Sequence, residues 1–218
     1  MSKILHAALT GAFIALSCVL YCFILTAGGA LLTATSYAAV VLCFLYAVSR
    51  WKNKFILGGL AFTVCADYFL VVCSPIQQLW GMVFFLGAQS LYAAMLHTSR
   101  PNKIYLYVRI ALIAVAEAIT AVILNDKTDT LALISICYYV NLIFNIILAF
   151  LQFRSYPLFA IGLVFFLLCD TVIGLQVMSG AYLPLSDTLR NIIFAPFNLA
   201  WLFYLPSQVL IALSSRKI

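Results

Sequence analysis

Long apolar runs separated by short polar connections follow one another along almost the whole chain. A helix needs roughly 20 apolar residues to cross about 30 Å of hydrocarbon, and each run has about that length. Eight runs fit the pattern, at residues 7–25, 30–48, 55–73, 78–96, 104–124, 131–151, 158–178 and 189–213. The pattern therefore predicts a single integral membrane domain over residues 1–218, an all-α bundle of about eight transmembrane helices. Pro196 and Pro206 predict kinks in the eighth span.

The composition is typical of an integral membrane protein and leaves little room for a soluble domain. Hydrophobic residues make up 66% of the 218 residues, and charged residues only 8%. The seven cysteines lie within or at the edges of the apolar runs, without the spacing of a disulfide framework or a zinc site. We therefore expect neither a bound metal nor a cofactor, and we place any chemistry inside the bilayer.

The basic residues are concentrated on one side of the predicted membrane. Eight spans place both termini on the same side as Lys3, Arg50, Lys52, Lys54, Arg100, Lys103, Arg154, Arg216 and Lys217. The opposite side carries Lys127 and Arg190. The positive-inside rule then predicts that both termini are cytoplasmic, in a bacterial cytoplasmic membrane or a eukaryotic endomembrane. Since topology explains the net charge of +6, no nucleic-acid partner is predicted. Arg109, about one turn into span five, is expected to snorkel to the cytoplasmic side.

One short motif occurs twice, and each copy ends in a carboxylate inside an apolar run. Gly-Leu-x-Phe is followed at the same spacing by Asp, from Gly59 to Asp67 and again from Gly162 to Asp170. The copies fall on spans three and seven, which is compatible with two parallel repeats of four spans each. Ionisable groups within a membrane are costly, so by default they are candidates for a functional site.

Three intramembrane carboxylates share one depth. Asp67 and Asp170 each lie about 18 Å along their helices from the cytoplasmic edge, and Glu117 lies at nearly the same level. This convergence predicts that spans three and seven are neighbours and line one polar cavity, with Asp67 and Asp170 as catalytic residues. Its predicted substrate-binding residues are Gln89, Tyr92, Glu117, Tyr138, Asn141, Asn145, Trp201, Tyr204 and Gln208. The alternative for these polar side chains is that they join helices through hydrogen bonds.

The residue types favour carboxylate chemistry over other catalytic classes. The two histidines, His6 and His97, lie near the cytoplasmic edge, and the chain has no Gly-x-Ser-x-Gly elbow. Paired carboxylates suit acid-catalysed cleavage through an oxocarbenium-like cation, in which one is protonated and the other ionised. The apolar surroundings of Asp170 favour it as the acid. Thr63, one turn before Asp67, is a candidate hydrogen-bond donor that would keep Asp67 ionised.

These motifs resemble those of the YhhN-like lysoplasmalogenases, small membrane proteins of about eight spans. The resemblance rests on the two Gly-to-Asp segments, on Gln89 with Tyr92, and on Tyr204 with Gln208. Family members often have Gly where this chain has Ala66 and His where it has Gln89, and Pro206-Ser207 is also unusual. The resemblance implies a lysophospholipid substrate, an alkenyl-glycerophosphocholine or -ethanolamine. Its vinyl ether bond would be hydrolysed to a fatty aldehyde and a glycerophospho-base without a cofactor.

Two other classes of function remain open from the sequence. A proton-coupled transporter or channel also uses midplane carboxylates and kinked helices. A structural membrane protein would use the same polar residues only to hold helices together. A blind, lipid-wide cavity would favour the enzyme, a path open to both sides the transporter, and tight packing the structural role. No pattern in the chain indicates an oligomeric state.

Overall fold

The computed structural model of the chain describes residues 3–26, 28–50, 52–125, 128–181, 186–194 and 198–215. These residues form helices and no strands, as the apolar runs predicted. The helices are α1 (Lys3–Thr26), α2 (Gly29–Arg50), α3 (Lys54–Asp67), α4 (Gln78–Ser99), α5 (Lys103–Leu124), α6 (Thr130–Leu151), α7 (Pro157–Ala181), α8 (Asp187–Ile193) and α9 (Leu199–Ser214). The all-α fold class is therefore confirmed. The side of the membrane that holds the termini and the division into two repeats of four spans stay predictions.

The eighth predicted span differs from the structure. Seven helices in the described part of the chain are long and apolar enough to cross a membrane, and the last of these is α7. The run 189–213 is divided between α8 and α9, and α9 has 16 residues. A helix of that length extends about 24 Å, which is shorter than the hydrocarbon core of about 30 Å. Pro206 lies inside α9, whereas Pro196 falls outside the described residues.

Short polar side chains fix where several helices begin. The Asn53 carboxamide accepts the backbone N–H groups of residues 55 and 56 at the start of α3. Asn102 and Asp129 accept backbone N–H groups in the same way at the starts of α5 and α6. The first N–H groups of a helix have no partner within the helix, so such caps stabilise its start by about 1 kcal/mol. The polar connections therefore set the boundaries that the apolar runs only approximate.

Six helices form a closed ring around the core, with α2, α3, α4, α6, α7 and α9 each packed on the next. Helix α1 packs outside α2 and α9, and α5 packs outside α6. The expectation that spans three and seven are direct neighbours is wrong. In the described part of the chain α9 packs on both α3 and α7, while α3 and α7 share no extensive contact. Helix α9 therefore connects the two carboxylate-bearing helices.

The glycine that opens each motif copy allows a close helix contact. A Cβ atom on Gly59 would overlap the ring of Tyr92 on α4. A Cβ atom on Gly162 would lie 3.0 Å from Cγ1 of Ile211 and 3.2 Å from the backbone oxygen of Ser207, both on α9. Small residues at membrane helix interfaces let neighbouring backbones approach in this way. The two motifs thus fix α3 against α4 and α7 against α9.

Gly59→Ala is expected to destabilise the folded protein by about 1–3 kcal/mol, because the new methyl group must displace a buried aromatic ring. Gly174→Ala in α7 is the matched control, since nothing lies within 4 Å of the position that its new methyl group would take. Alanine is a better helix former than glycine, so this control should be neutral or slightly stabilising. Thermal unfolding in detergent compares the two variants. Equal stability of both would show that the α3–α4 contact is not tight.

Candidate active site

Asp67 is held inside the bundle by a tyrosine from the last helix. It is the final residue of α3, it is only 3% exposed, and a π-helical turn over Tyr68–Val72 follows it directly. The Tyr204 hydroxyl of α9 donates a hydrogen bond to the Asp67 carboxylate, with an Oη–Oδ2 distance of 2.7 Å. The expected donor was Thr63, but its hydroxyl donates to the backbone carbonyl of Gly59 instead. A threonine inside a helix commonly makes this local bond.

Asp170 has an equivalent tyrosine partner on a different helix. It lies in the middle of α7 and is half-buried, so it is more accessible than the fully enclosed Asp67. The Tyr138 hydroxyl of α6 donates a hydrogen bond to the Asp170 carboxylate. Tyr138 is itself only 3% exposed. Asp67 and Asp170 therefore each receive one phenolic hydrogen bond, which offsets part of the cost of removing the carboxylate from water.

A cluster of aromatic rings joins the two Asp–Tyr pairs into one site. The Phe85 ring of α4 lies 5.9 Å from Tyr138 and 6.4 Å from Tyr204, centroid to centroid. Phe166 of α7 contacts the same two rings, and Trp201 stands edge-on to Tyr204 at 5.0 Å. The structure thus brings together Asp67 and Asp170 with two of the predicted substrate-binding tyrosines.

Two predicted substrate-binding amides bind a buried cation, and a third predicted amide bonds to one of them. Arg109 is 5% exposed, so the expectation that it snorkels to the cytoplasmic side is wrong. Its guanidinium donates to Oδ1 of Asn141 at 3.2 Å and to Oδ1 of Asn145 at 2.8 Å. The Asn145 amide in turn donates to the backbone and side-chain oxygens of Gln89 on α4, both at 2.9 Å. Inward orientation satisfies these N–H groups, which outward orientation near the lipid would not.

Arg109 was the principal residue that the sequence pattern missed. The depth of Asn141 and Asn145 in the membrane could have indicated the role of Arg109, because these amides lie on α6, the helix that follows α5. Two amides one turn apart offer acceptors that a single basic residue on the neighbouring helix can reach. The Phe144 ring lies under the guanidinium, 4.9 Å from its central carbon, and adds a cation–π contact.

The remaining predicted lining residues divide into packing and polar roles. Tyr92 is completely buried between Gly59 and the ring of Phe159, which is 5.1 Å away, so it fills the α3–α4 interface. Gln208 lies one turn beyond Tyr204 on α9 and is also completely buried. Neither amide atom of Gln208 has a hydrogen-bond partner among the described residues. Gln208 is therefore a polar group that remains available next to the Asp67–Tyr204 pair.

Glu117 shares the depth of the aspartates but is not brought to them. Helix α5 packs on α6 at the outside of the ring, and Glu117 is half-buried there, with its charge near Cys137. Within the described residues its carboxylate makes no hydrogen bond or ion pair. The predicted convergence of three carboxylates therefore holds for two of them.

For a reaction catalysed by Asp67 and Asp170, Glu117→Gln is expected to keep turnover within about threefold of the unchanged protein, because the variant removes no contact to either aspartate. Measurement of kcat and KM for the purified variant checks this expectation. A loss as complete as that of an aspartate variant would show that the carboxylates have been ranked wrongly.

Comparison with protein-family models gives a match. Neither the curated proteins nor the solved structures include a match to this chain. A family model described as the YhhN family matches residues 30–215, which include α3, α7, both Asp–Tyr pairs and Arg109. Together with the seven membrane-length helices, this match over most of the chain identifies a multi-pass membrane protein that belongs to the YhhN family.

Proposed function

We propose that this protein hydrolyses the vinyl ether bond of a lysoplasmalogen, with Asp67 and Asp170 as the acid and base. Membership of the YhhN family supports this proposal, because the family is known for lysoplasmalogenase activity. The products would be a fatty aldehyde and a glycerophospho-base. The substrate is a single-chain lipid that reaches the site from the membrane in which the protein is embedded.

The first step is protonation of carbon. One carboxyl group donates its proton to the vinyl carbon that is not bonded to oxygen, and the double-bond electrons form the new C–H bond. An oxygen lone pair then makes the neighbouring carbon an oxocarbenium ion. The second carboxylate stabilises this cation, as in glycoside hydrolysis. We assign Asp170 as the donor in this scheme because its half-buried position lets a lipid approach it, although Asp67 is the more enclosed of the two carboxyl groups.

The second step is capture by water. The ionised carboxylate accepts a proton from a water molecule while the water oxygen bonds to the oxocarbenium carbon, which gives a hemiacetal. The carboxyl group that took the water proton then donates it to the glycerol oxygen, which leaves as an alcohol, while the first carboxylate accepts the hemiacetal hydroxyl proton as the aldehyde forms. This sequence consumes one water and regenerates both carboxyl groups.

The single observation that carries the proposal is the pair of tyrosine-bound carboxylates around one aromatic cluster. Two interacting carboxylates cannot easily both be ionised in a medium of low polarity, which favours the mixed state that acid–base catalysis requires. The aromatic rings also provide a face for a passing cation, because their π electrons attract positive charge. Because water captures the oxocarbenium ion, the reaction needs no nucleophilic side chain.

Release of aldehyde by purified protein tests the proposal. An alkenyl-lysophospholipid should yield fatty aldehyde, measured through a coupled alcohol dehydrogenase. The matched alkyl-lysophospholipid has the same chain and head group but no vinyl double bond to protonate, so it should yield none. Absence of aldehyde from the alkenyl lipid, with folded protein confirmed to bind that lipid, would contradict the proposed reaction.

A further inference from the structure

The buried Arg109 guanidinium has positive charge without a matching negative charge. In the described residues no Asp or Glu forms an ion pair with it, and its hydrogen bonds go to neutral amides. An uncompensated cation within a membrane is costly, which is why such groups mark functional sites. The neutral amides and the Phe144 ring lower this cost but do not neutralise the charge.

Donor groups around Arg109 also remain unused. Arginine offers five N–H groups in a fixed fork, and the Nε–H of Arg109 is buried with no acceptor in the described residues. The Nε2 atom of His97, on α4, is likewise buried without a partner in the described residues. The unused Nε–H of Arg109 can therefore donate to an anion with several oxygens, which a planar guanidinium binds well.

The position of Arg109 relative to the carboxylates can be read along α6. Tyr138 holds Asp170, while Asn141 and Asn145, which hold Arg109, lie one and two turns nearer the Leu151 end. At 1.5 Å per residue, the two asparagines that hold the guanidinium lie about 4.5 and 10.5 Å along the axis of α6 from Tyr138. The phosphorus of a lysophospholipid and its sn-1 vinyl ether are separated by five to seven covalent bonds, which extend about 6–9 Å. The distance between phosphate and vinyl ether in the lipid therefore falls within the range of distances along α6 between Tyr138 and the two asparagines.

The end of the bundle beyond Arg109 provides room for a polar head group. An open cleft of about 550 Å³ lies where α4 and α6 end, and its lining includes Ser99, Arg100, Gln152 and Arg154. His97 is two residues before Ser99 on α4. A lipid with its phosphate at Arg109 would thus have its head group toward this polar end and its vinyl ether toward the aspartates.

We propose that Arg109, oriented by Asn141 and Asn145, binds the phosphate group of the lysophospholipid and so sets the vinyl ether at the level of the two aspartates. This assignment rests on the proposed hydrolase function for the identity of the lipid. The binding of a phosphate-bearing lipid can be measured without turnover, so the two ideas can fail separately.

The binding experiment uses two uncleavable lipids of the same chain length. An alkyl-lysophospholipid carries the phosphate, and an alkylglycerol does not. Arg109→Gln should weaken binding of the alkyl-lysophospholipid about 10- to 100-fold and leave alkylglycerol binding within about twofold, as measured by tryptophan fluorescence or thermal shift. Arg109→Lys keeps the charge without the planar fork of N–H groups. Its affinity for the alkyl-lysophospholipid should therefore lie between those of the unchanged protein and Arg109→Gln. Arg190→Gln removes the same charge from an exposed position on α8 and should change neither affinity.

Three outcomes would overturn the assignment, and a fourth would separate it from the hydrolase proposal. Equal weakening of both lipids would show that Arg109 acts on the fold, and unchanged binding of both would show that it does not contact the phosphate. Stabilisation by inorganic phosphate alone, lost in Arg109→Gln while lipid binding is kept, would identify a free-anion site. If binding depends on Arg109 as expected but alkenyl lipid yields no aldehyde, the phosphate site stands and the hydrolase proposal fails.

Discussion

Asp67→Asn and Asp170→Asn are each expected to lower turnover about 10²–10⁴-fold while the protein stays folded and binds lipid. Asparagine keeps the size of the side chain and an oxygen that can accept the tyrosine hydrogen bond. It cannot donate a proton to carbon or carry the negative charge that stabilises an oxocarbenium ion. The loss should therefore appear in kcat, with KM and alkyl-lysophospholipid binding largely unchanged.

Asp187→Asn is the matched control for these variants. Asp187 lies exposed at the start of α8, so the same change there should leave turnover unaltered. Full turnover by either site variant would contradict the acid–base mechanism. Proton-coupled transport would then be the leading alternative, and proton flux into liposomes that contain the protein would test it.

Tyr138→Phe and Tyr204→Phe are each expected to lower turnover about 10- to 100-fold. Each change removes one hydroxyl that donates to a catalytic carboxylate and preserves the ring that packs against Phe85. A hydrogen bond to a charged group contributes about 1.5–3 kcal/mol, which corresponds to that range of rates. Comparison of kcat for the two purified variants measures the contribution of each bond.

Tyr139→Phe provides the control for the tyrosine variants. Tyr139 is next to Tyr138 on α6, but its hydroxyl shares a hydrogen bond with Thr171 rather than with an aspartate. Its loss should leave turnover close to that of the unchanged protein. An equal fall in all three variants would mean that the hydroxyl groups support helix packing and not the carboxylates.

The depth of a residue in the membrane could be predicted from the sequence, because it depends only on position along one helix. Asp67 and Asp170 were placed at a common depth because the rise per residue of a helix is fixed. On α6, Tyr138 donates a hydrogen bond to Asp170 of α7, whereas Asn141 and Asn145, one and two turns further along, accept hydrogen bonds from Arg109 of α5.

Contacts between helices could not be derived in that way. Depth does not reveal which way a side chain faces around its helix, so Glu117 was grouped with the aspartates although α5 lies outside the ring. The adjacency of α3 and α7 was inferred from matching motifs, but the order of helices around the core is decided by packing. That packing inserts α9 between them. The inward orientation of Arg109 could not be predicted for the same reason, because its hydrogen-bond acceptors lie on another helix.

The isotope content of the released aldehyde tests the central claim most directly. In heavy water, a proton transfer from a carboxyl group to the vinyl carbon should place one deuterium on the carbon next to the aldehyde group and slow the reaction. Immediate reduction of the aldehyde to its alcohol prevents later exchange, and mass spectrometry then counts the deuterium. We predict one deuterium in each aldehyde formed by the unchanged protein, and aldehyde formation that is nearly abolished in Asp67→Asn and Asp170→Asn. Aldehyde without deuterium, or undiminished labelled aldehyde from either aspartate variant, would contradict this mechanism.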